Sequence, residues 1–212
     1  PLPGNMALGA TRSAELARKA GEVLGRELSA LGINVNYAPC ADVNINPQNP
    51  VVGARCFGED PRLVAELTAA MIEGIQSQGV AATVKHFPGH GDTDVDSHFD
   101  LPVINHTRER LDSIELYPFR ELISQGVGSV MVAHLHVPAF DDRENRPTTL
   151  SEPTIAKLLK EEMGYKGLVL TDALEMKGVA KHFESGEVEA EALVAGVDML
   201  LLPGDVGTAI QT

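Results

Sequence analysis

The stretch KHFPGHGDTDVDSH, residues 85–98, places three histidines, three aspartates and two glycines in fourteen positions. A packed core has no use for such a segment, because each buried charge or imidazole would need a partner. Its two ends carry the chemistry, Lys85-His86 at one and Asp96-x-His98 at the other. Asp96 can orient the His98 ring and raise its pKa, leaving the second ring nitrogen free to transfer a proton. The plainer alternative is a surface loop whose aspartate and histidine satisfy local turns. His90, between Gly89 and Gly91, reads as a hydrogen bonder that shapes the loop. Two further stretches hold reactive groups. In LVLTDALEM, Asp172 ends an apolar strand, where a carboxylate is costly unless it is functional or well paired; the alternative is an N-cap for a helix starting at Ala173. Glu175 would face solvent or close a capping box. In VGARCFGED, Arg55 can act as a clamp on a sugar or carboxylate, or form an ordinary surface salt bridge.

These groups need a scaffold. Apolar runs at 33–39, 80–86, 127–134, 167–172 and 196–203 read as near-continuous hydrophobic strands, the pattern of parallel strands covered on both faces. Between them, Leu16, Ala20, Val23, Leu24, Leu28 and Leu31 hold a helical period. Asp60-Pro61 is an N-cap and first-turn pair for a helix carrying Leu63, Leu67, Met71 and Ile75. Thr107 caps another helix that Pro118 should kink, and Ser151 with Pro153 opens a third. Gly32, Gly79, Gly126, Gly164 and Gly196 fall where left-handed C-caps are needed.

Strand–helix alternation predicts a parallel α/β sheet. No Gly-rich fingerprint follows the first strand, which disfavours a dinucleotide-binding open sheet. Lys85-His86, His134-x-His136 and Asp172 instead stand at the C-terminal ends of different strands, the arrangement of a (β/α)8 barrel. With five strands visible, the expectation is a single domain, residues 1–212, forming part of such a TIM-type barrel, its first strands and last helix missing.

Composition sets the outer bounds. The chain has 43% hydrophobic and 22% charged residues, as ordinary globular proteins do. No apolar run reaches the ~20 residues of a membrane span. A net charge of −13 argues against nucleic acid or anionic lipid as partner. Cys40 and Cys56 suit neither a disulfide framework nor a zinc site. The sequence begins at Pro1 without a signal peptide, so the true N-terminus is expected to lie upstream, and the compartment stays open between the bacterial cytoplasm and the cell envelope or secretion.

Taken in order, KHFPGHGDTDVDSH followed by LP, then VMVAHLHVPAFD and LVLTDALEMKG, resemble the family 3 glycoside hydrolases. They are most similar to the bacterial β-N-acetylglucosaminidases (β-hexosaminidases) of peptidoglycan recycling. The likeness runs from PLPGNMALGAT to AGVDMLLLPGD. It implies a retaining exo-glycosidase that needs no cofactor or metal and removes terminal β-linked N-acetylglucosamine from peptidoglycan-derived or chitooligosaccharide substrates. By matching motif, Asp172 corresponds to the nucleophile, His98 to the acid/base and Asp96 to its helper. Lys85, His86 and Arg55 correspond to groups that hold the sugar hydroxyls. The family also draws an aspartate and an arginine from an earlier strand, and these are absent from this sequence. Three other readings stand beside this one: a β-glucosidase of the same family, a sugar-binding barrel without turnover, and a metal-dependent hydrolase using His134-x-His136 with His86.

Overall fold

The computed structural model describes residues 2–181, 183–184 and 186–212. Among them, five strands form one sheet: β1 (Val35–Asn36), β2 (Ala81–Phe87), β3 (Ser129–Val132), β4 (Leu168–Ala173) and β5 (Met199–Leu201). Every neighbouring pair is parallel, and the spatial order equals the chain order. A doubly wound sheet reverses its order at a switch point; this one does not, and it curls as part of a barrel wall would.

Helices supply the crossovers. α1 (Asn5–Thr11) and α2 (Ala14–Ala30) precede β1, and α3 (Pro61–Gln76) joins β1 to β2. α4 (Arg108–Ser113) and α5 (Leu116–Ser124) join β2 to β3, and the π-helix Pro153–Glu162 joins β3 to β4. α6 (Lys177–Ala180) and α7 (Glu187–Ala195) lead to β5. The expected caps are in place: the Asp60 carboxylate accepts from the Arg62 amide, the Thr107 hydroxyl from Arg110 and the Ser151 hydroxyl from Thr154. Pro118 breaks its helix as expected. It has no N–H for the Ile114 carbonyl, and α4 gives way to α5 at Ile114–Glu115. All five glycines placed at helix ends have φ between 70° and 108°.

Two expectations are corrected. A helix does follow the last strand: α8 (Val206–Gln211) is capped by Asp205, whose carboxylate accepts from the Gly207 and Thr208 amides. Its weak apolar period had hidden it. The inward face of α2 is also only partly the leucine stripe: Leu24 and Leu28 pack against the core beside the buried Ala20. Leu16 is 44% and Leu31 76% exposed, whereas Ala17, Ala20, Gly21 and Gly25 are buried. The cause is a close helix crossing. A Cβ on Gly21 would lie 2.3 Å from the Met71 carbonyl oxygen, and one on Gly74 would lie 2.2 Å from that of Arg18. Small residues let the α2 and α3 backbones touch. Gly74→Ala is therefore expected to force the helices apart and cost about 1–3 kcal/mol, read as a lower denaturation midpoint with unchanged slope. An unchanged midpoint would mean the crossing tolerates separation.

Both faces of the sheet are covered. All of β3 is buried, as are Ala82, Val84 and Phe87 of β2 and Val169 and Leu170 of β4. Phe87 meets Phe119 of α5 edge-on, with ring centroids 5.3 Å apart. This packing fixes the strand ends on which the polar groups stand.

Candidate active site

Lys85 and His86 lie near the C-terminal end of β2, joined by a cis peptide. Asp172 lies near the C-terminal end of β4, inside the strand rather than capping a helix at Ala173. Arg55 ends a short turn, Gly53–Arg55, in the β1–α3 connection. Asp96 and His98 ride on the long β2–α4 connection. Arg55, Lys85, His86, His98 and Asp172 all line one cleft of about 150 Å³, with Tyr37, His90, Ser97 and Met131 in its walls. Asp96 stands behind His98 rather than in the lining. Glu175 is exposed.

Asp96 holds His98 at two points. Its Oδ1 is 2.7 Å from the ring Nδ1 and accepts from the His98 amide at 2.9 Å. Nε2 of the ring has no hydrogen-bond partner among the described residues. Partial burial pushes the Asp96 carboxyl up, but the His98 amide, ring and charge outweigh it and hold the group below its ordinary value. Burial likewise works against ionisation of Asp172. The fields of His86 and His134, the Ala173 amide and Lys85 overcome it, so Asp172 also ionises below the usual carboxylate range. The Lys85 ammonium has no hydrogen bond or ion pair among the described residues and is available to a ligand.

The residue missed from the sequence is Asp42, fully buried just past β1. Its Oδ2 lies 2.7 Å from His86 Nδ1, and its Oδ1 accepts from the amides of His86 (3.1 Å) and His90 (2.7 Å). Arg55 Nη2 lies 3.3 Å from His86 Nε2. A guanidinium only donates, so Nε2 is the acceptor and Nδ1–H faces Asp42. Burial pushes Asp42 up, yet the charge and hydrogen bond of His86 and the neighbouring His90 bring it down to about 2. A buried carboxylate holding a ring and two amides is the one strong sign of its role, and sequence alone showed only an aspartate in an apolar stretch.

His90 shapes the loop as expected. Nδ1 meets the Thr93 hydroxyl at 2.7 Å and Nε2 the Ser97 hydroxyl at 3.1 Å. Burial, aided by His86, lowers its pKa to about 4, so the ring is neutral near pH 7.

The expected pair His134-x-His136 is divided. His134 is buried, with Nε2 2.9 Å from the Ala173 carbonyl and Nδ1 2.9 Å from the Thr149 hydroxyl. Nε2 must donate there, which commits both nitrogens. His136 turns Nδ1 to the Arg146 carbonyl at 3.3 Å. The metal reading thus loses its central pair. Among the described residues, Cys40, Asp42 and His86 do bring ligand atoms within 4.8 Å of one another, as do Asp92, His106 and Glu115. In the first group burial pushes the Cys40 thiol up to about 12, so it stays protonated, and His86 already bonds Asp42. In the second, Arg110 supplies the positive charge, 2.6 Å from Glu115 and 3.9 Å from Asp92.

A parallel sheet in chain order, with its polar groups gathered at the strand C-termini, defines an enzyme-type α/β barrel wall. Residues 1–212 match the glycosyl hydrolase family 3 N terminal domain, and the chain belongs to that family. It is 42% identical to beta-hexosaminidase A of Pseudoalteromonas piscicida, covering 94% of this chain and 36% of that protein. It is 38% identical to the beta-N-acetylglucosaminidase/beta-glucosidase of Cellulomonas fimi, covering 93% and 36%. Among solved structures, the family 3 beta-N-acetylglucosaminidase from Paenibacillus sp. str. FPU-7 superposes with a TM-score of 0.93 at 53% identity, over 95% of this chain and 38% of that one. The chain thus spans about a third of the length of these relatives. Among the described residues, no helix is long and apolar enough to cross a membrane.

Proposed function

We propose that residues 1–212 are one domain, part of the (β/α)8 barrel of a retaining exo-β-N-acetylglucosaminidase. The substrates are saccharides with a terminal β-linked N-acetylglucosamine, derived from peptidoglycan or chitin. The observation that carries this reading is the convergence of Asp172 and the Asp96-backed His98 on the cleft lined by Lys85, His86 and Arg55. Retaining hydrolysis needs a nucleophile on one face of the anomeric carbon and a proton donor beside the leaving oxygen. Asp172 attacks the anomeric carbon as the glycosidic C–O bond breaks. His98 Nε2 gives its proton to the departing oxygen, then takes one from the water that cleaves the sugar–Asp172 ester. Both groups return to their starting states. Lys85 and Arg55 donate to sugar hydroxyls, and His86 Nε2 holds the Arg55 guanidinium in place for that task.

His98→Ala tests the assignment. Loss of the proton donor is expected to lower kcat/KM on chitobiose by about 10²–10⁴-fold. An activated aryl N-acetylglucosaminide, whose leaving group needs little protonation, should suffer far less in the first step. Its deglycosylation should stall, so that peptide mapping finds the sugar on Asp172. Equal impairment on both substrates, or an adduct on Glu175, would mean the roles are misassigned.

A second specificity has a specific basis, since the Cellulomonas fimi relative is named for both N-acetylglucosaminidase and β-glucosidase activities. Parallel assays of aryl glucoside and aryl N-acetylglucosaminide decide between them. Faster turnover of the glucoside would reverse the proposed order.

A further inference from the structure

We infer that Gly178, on α6 just beyond the Asp172 strand, is the seat that positions the His98 loop over the cleft. The inference rests on the proposed role of His98 and adds a residue that touches no substrate. Three contacts define the seat. The Gly178 amide donates to the Ser97 carbonyl at 3.1 Å, directly before His98. Lys181, one turn further on, pairs with Asp100 at 3.2 Å, directly after Phe99. From the other side, the Ser97 hydroxyl meets His90 Nε2, and His90 is anchored through its amide to Asp42. His98 is therefore held between the β1–β2 buttress and the first turn of α6.

Sterics make residue 178 specific. A Cβ there would stand 2.9 Å from the Ser97 carbonyl oxygen and 3.1 Å from that of Asp100. Both are backbone atoms of the loop and cannot rotate away as a side-chain end can. The loop itself must lift. Gly178 does not occupy the left-handed region, so a side chain brings no backbone strain of its own. Alanine at a helical position even raises intrinsic helix propensity. The substitution therefore separates loop position from fold.

Catalytic geometry tolerates about 0.5 Å of displacement, and 1 Å can cost about a hundredfold. In the full-length protein, Gly178→Ala is expected to lower kcat/KM on chitobiose about tenfold and Gly178→Val about a hundredfold. Nitrophenyl N-acetylglucosaminide, which asks little of the proton donor, should change less than about threefold in its glycosylation step. Thermal midpoints of the alanine variant should match the wild type. Equal losses on both substrates, or no loss on chitobiose, would overturn the inference. If the valine variant fails to fold, the alanine variant still decides. His98→Ala measured alongside tells the two claims apart. If His98→Ala shows the leaving-group split and Gly178→Ala does not, the seat is wrong and the role of His98 stands. If His98→Ala shows no split, the role of His98 falls and the seat falls with it.

Discussion

Asp172→Asn is expected to abolish covalent glycosylation and to lower turnover of every substrate by roughly 10⁴-fold or more, regardless of leaving group. The substitution keeps most of the local structure. Asparagine has the same shape and retains an oxygen for the Ala173 amide, which Asp172 now holds at 2.9 Å. The β4 end, fixed also by His134 on the Ala173 carbonyl, should stay where it is. What is lost is the negative oxygen proposed to bond the anomeric carbon. An amide oxygen is a poor nucleophile, and no other carboxylate lines the cleft among the described residues. Rapid mixing with a nitrophenyl N-acetylglucosaminide should show a burst of phenolate in the wild type and none in the variant. A variant within tenfold of wild type would remove Asp172 from the nucleophile's place. The wild-type pH profile offers an independent check. Burial opposes ionisation of Asp172, but His86, His134, the Ala173 amide and Lys85 prevail and depress its pKa. Asp172 therefore stays ionised to below the usual carboxylate range, and an acid limb of kcat/KM that belongs to it should lie below that range.

What could be read from the sequence follows from how local each signal is. The strand runs, the Asp60-Pro61 cap and the Pro118 break depend on neighbours in the chain, and they stand as expected. Lys85, His86, Arg55, His98 and Asp172 were legible because motif order and strand-end position place them together without any coordinates. The inward face of α2 was legible only in part, at Ala20, Leu24 and Leu28. Leucine periodicity describes an apolar face, but a crossing mediated by Gly21, Gly25 and Gly74 buries the small face, and that depends on a helix about fifty residues away. Asp42 was hidden for the same reason, since its partners His86 and His90 are 44 and 48 residues distant. Gly178 gave no local sign either: what it excludes is the loop carbonyls of Ser97 and Asp100.

Asp42 yields the second large effect, and two substitutions separate its two roles. Asp42→Ala strips the acceptor from the His86 ring and from two amides, all out of reach of water. Each buried donor left unpaired costs about 1–3 kcal/mol, so the three together are expected to cost at least about 3 kcal/mol. The pH dependence of stability should change with it. In the folded protein the carboxyl is held at about 2 against an ordinary 3.8, because His86 and His90 outweigh burial. A depressed carboxyl stabilises the fold fully above pH 3.8 and loses that contribution as pH falls toward 2. The alanine variant should lack this part of the acid destabilisation. Asp42→Asn is the finer probe. Its carbonyl can still serve the two amides, but its NH₂ faces His86 Nδ1, which must then become an acceptor. The proton moves to Nε2, where it confronts the Arg55 donor 3.3 Å away. The Arg55 guanidinium would lose its acceptor and be pushed off its place beside the sugar while the fold survives. KM should therefore rise more than kcat falls, with kcat/KM down about 10–100-fold, the size of one mispaired polar contact in a binding site. Urea unfolding across pH 2–7 and steady-state kinetics on an aryl N-acetylglucosaminide measure the two effects separately. An asparagine variant with wild-type KM would show that the His86 tautomer does not govern sugar binding.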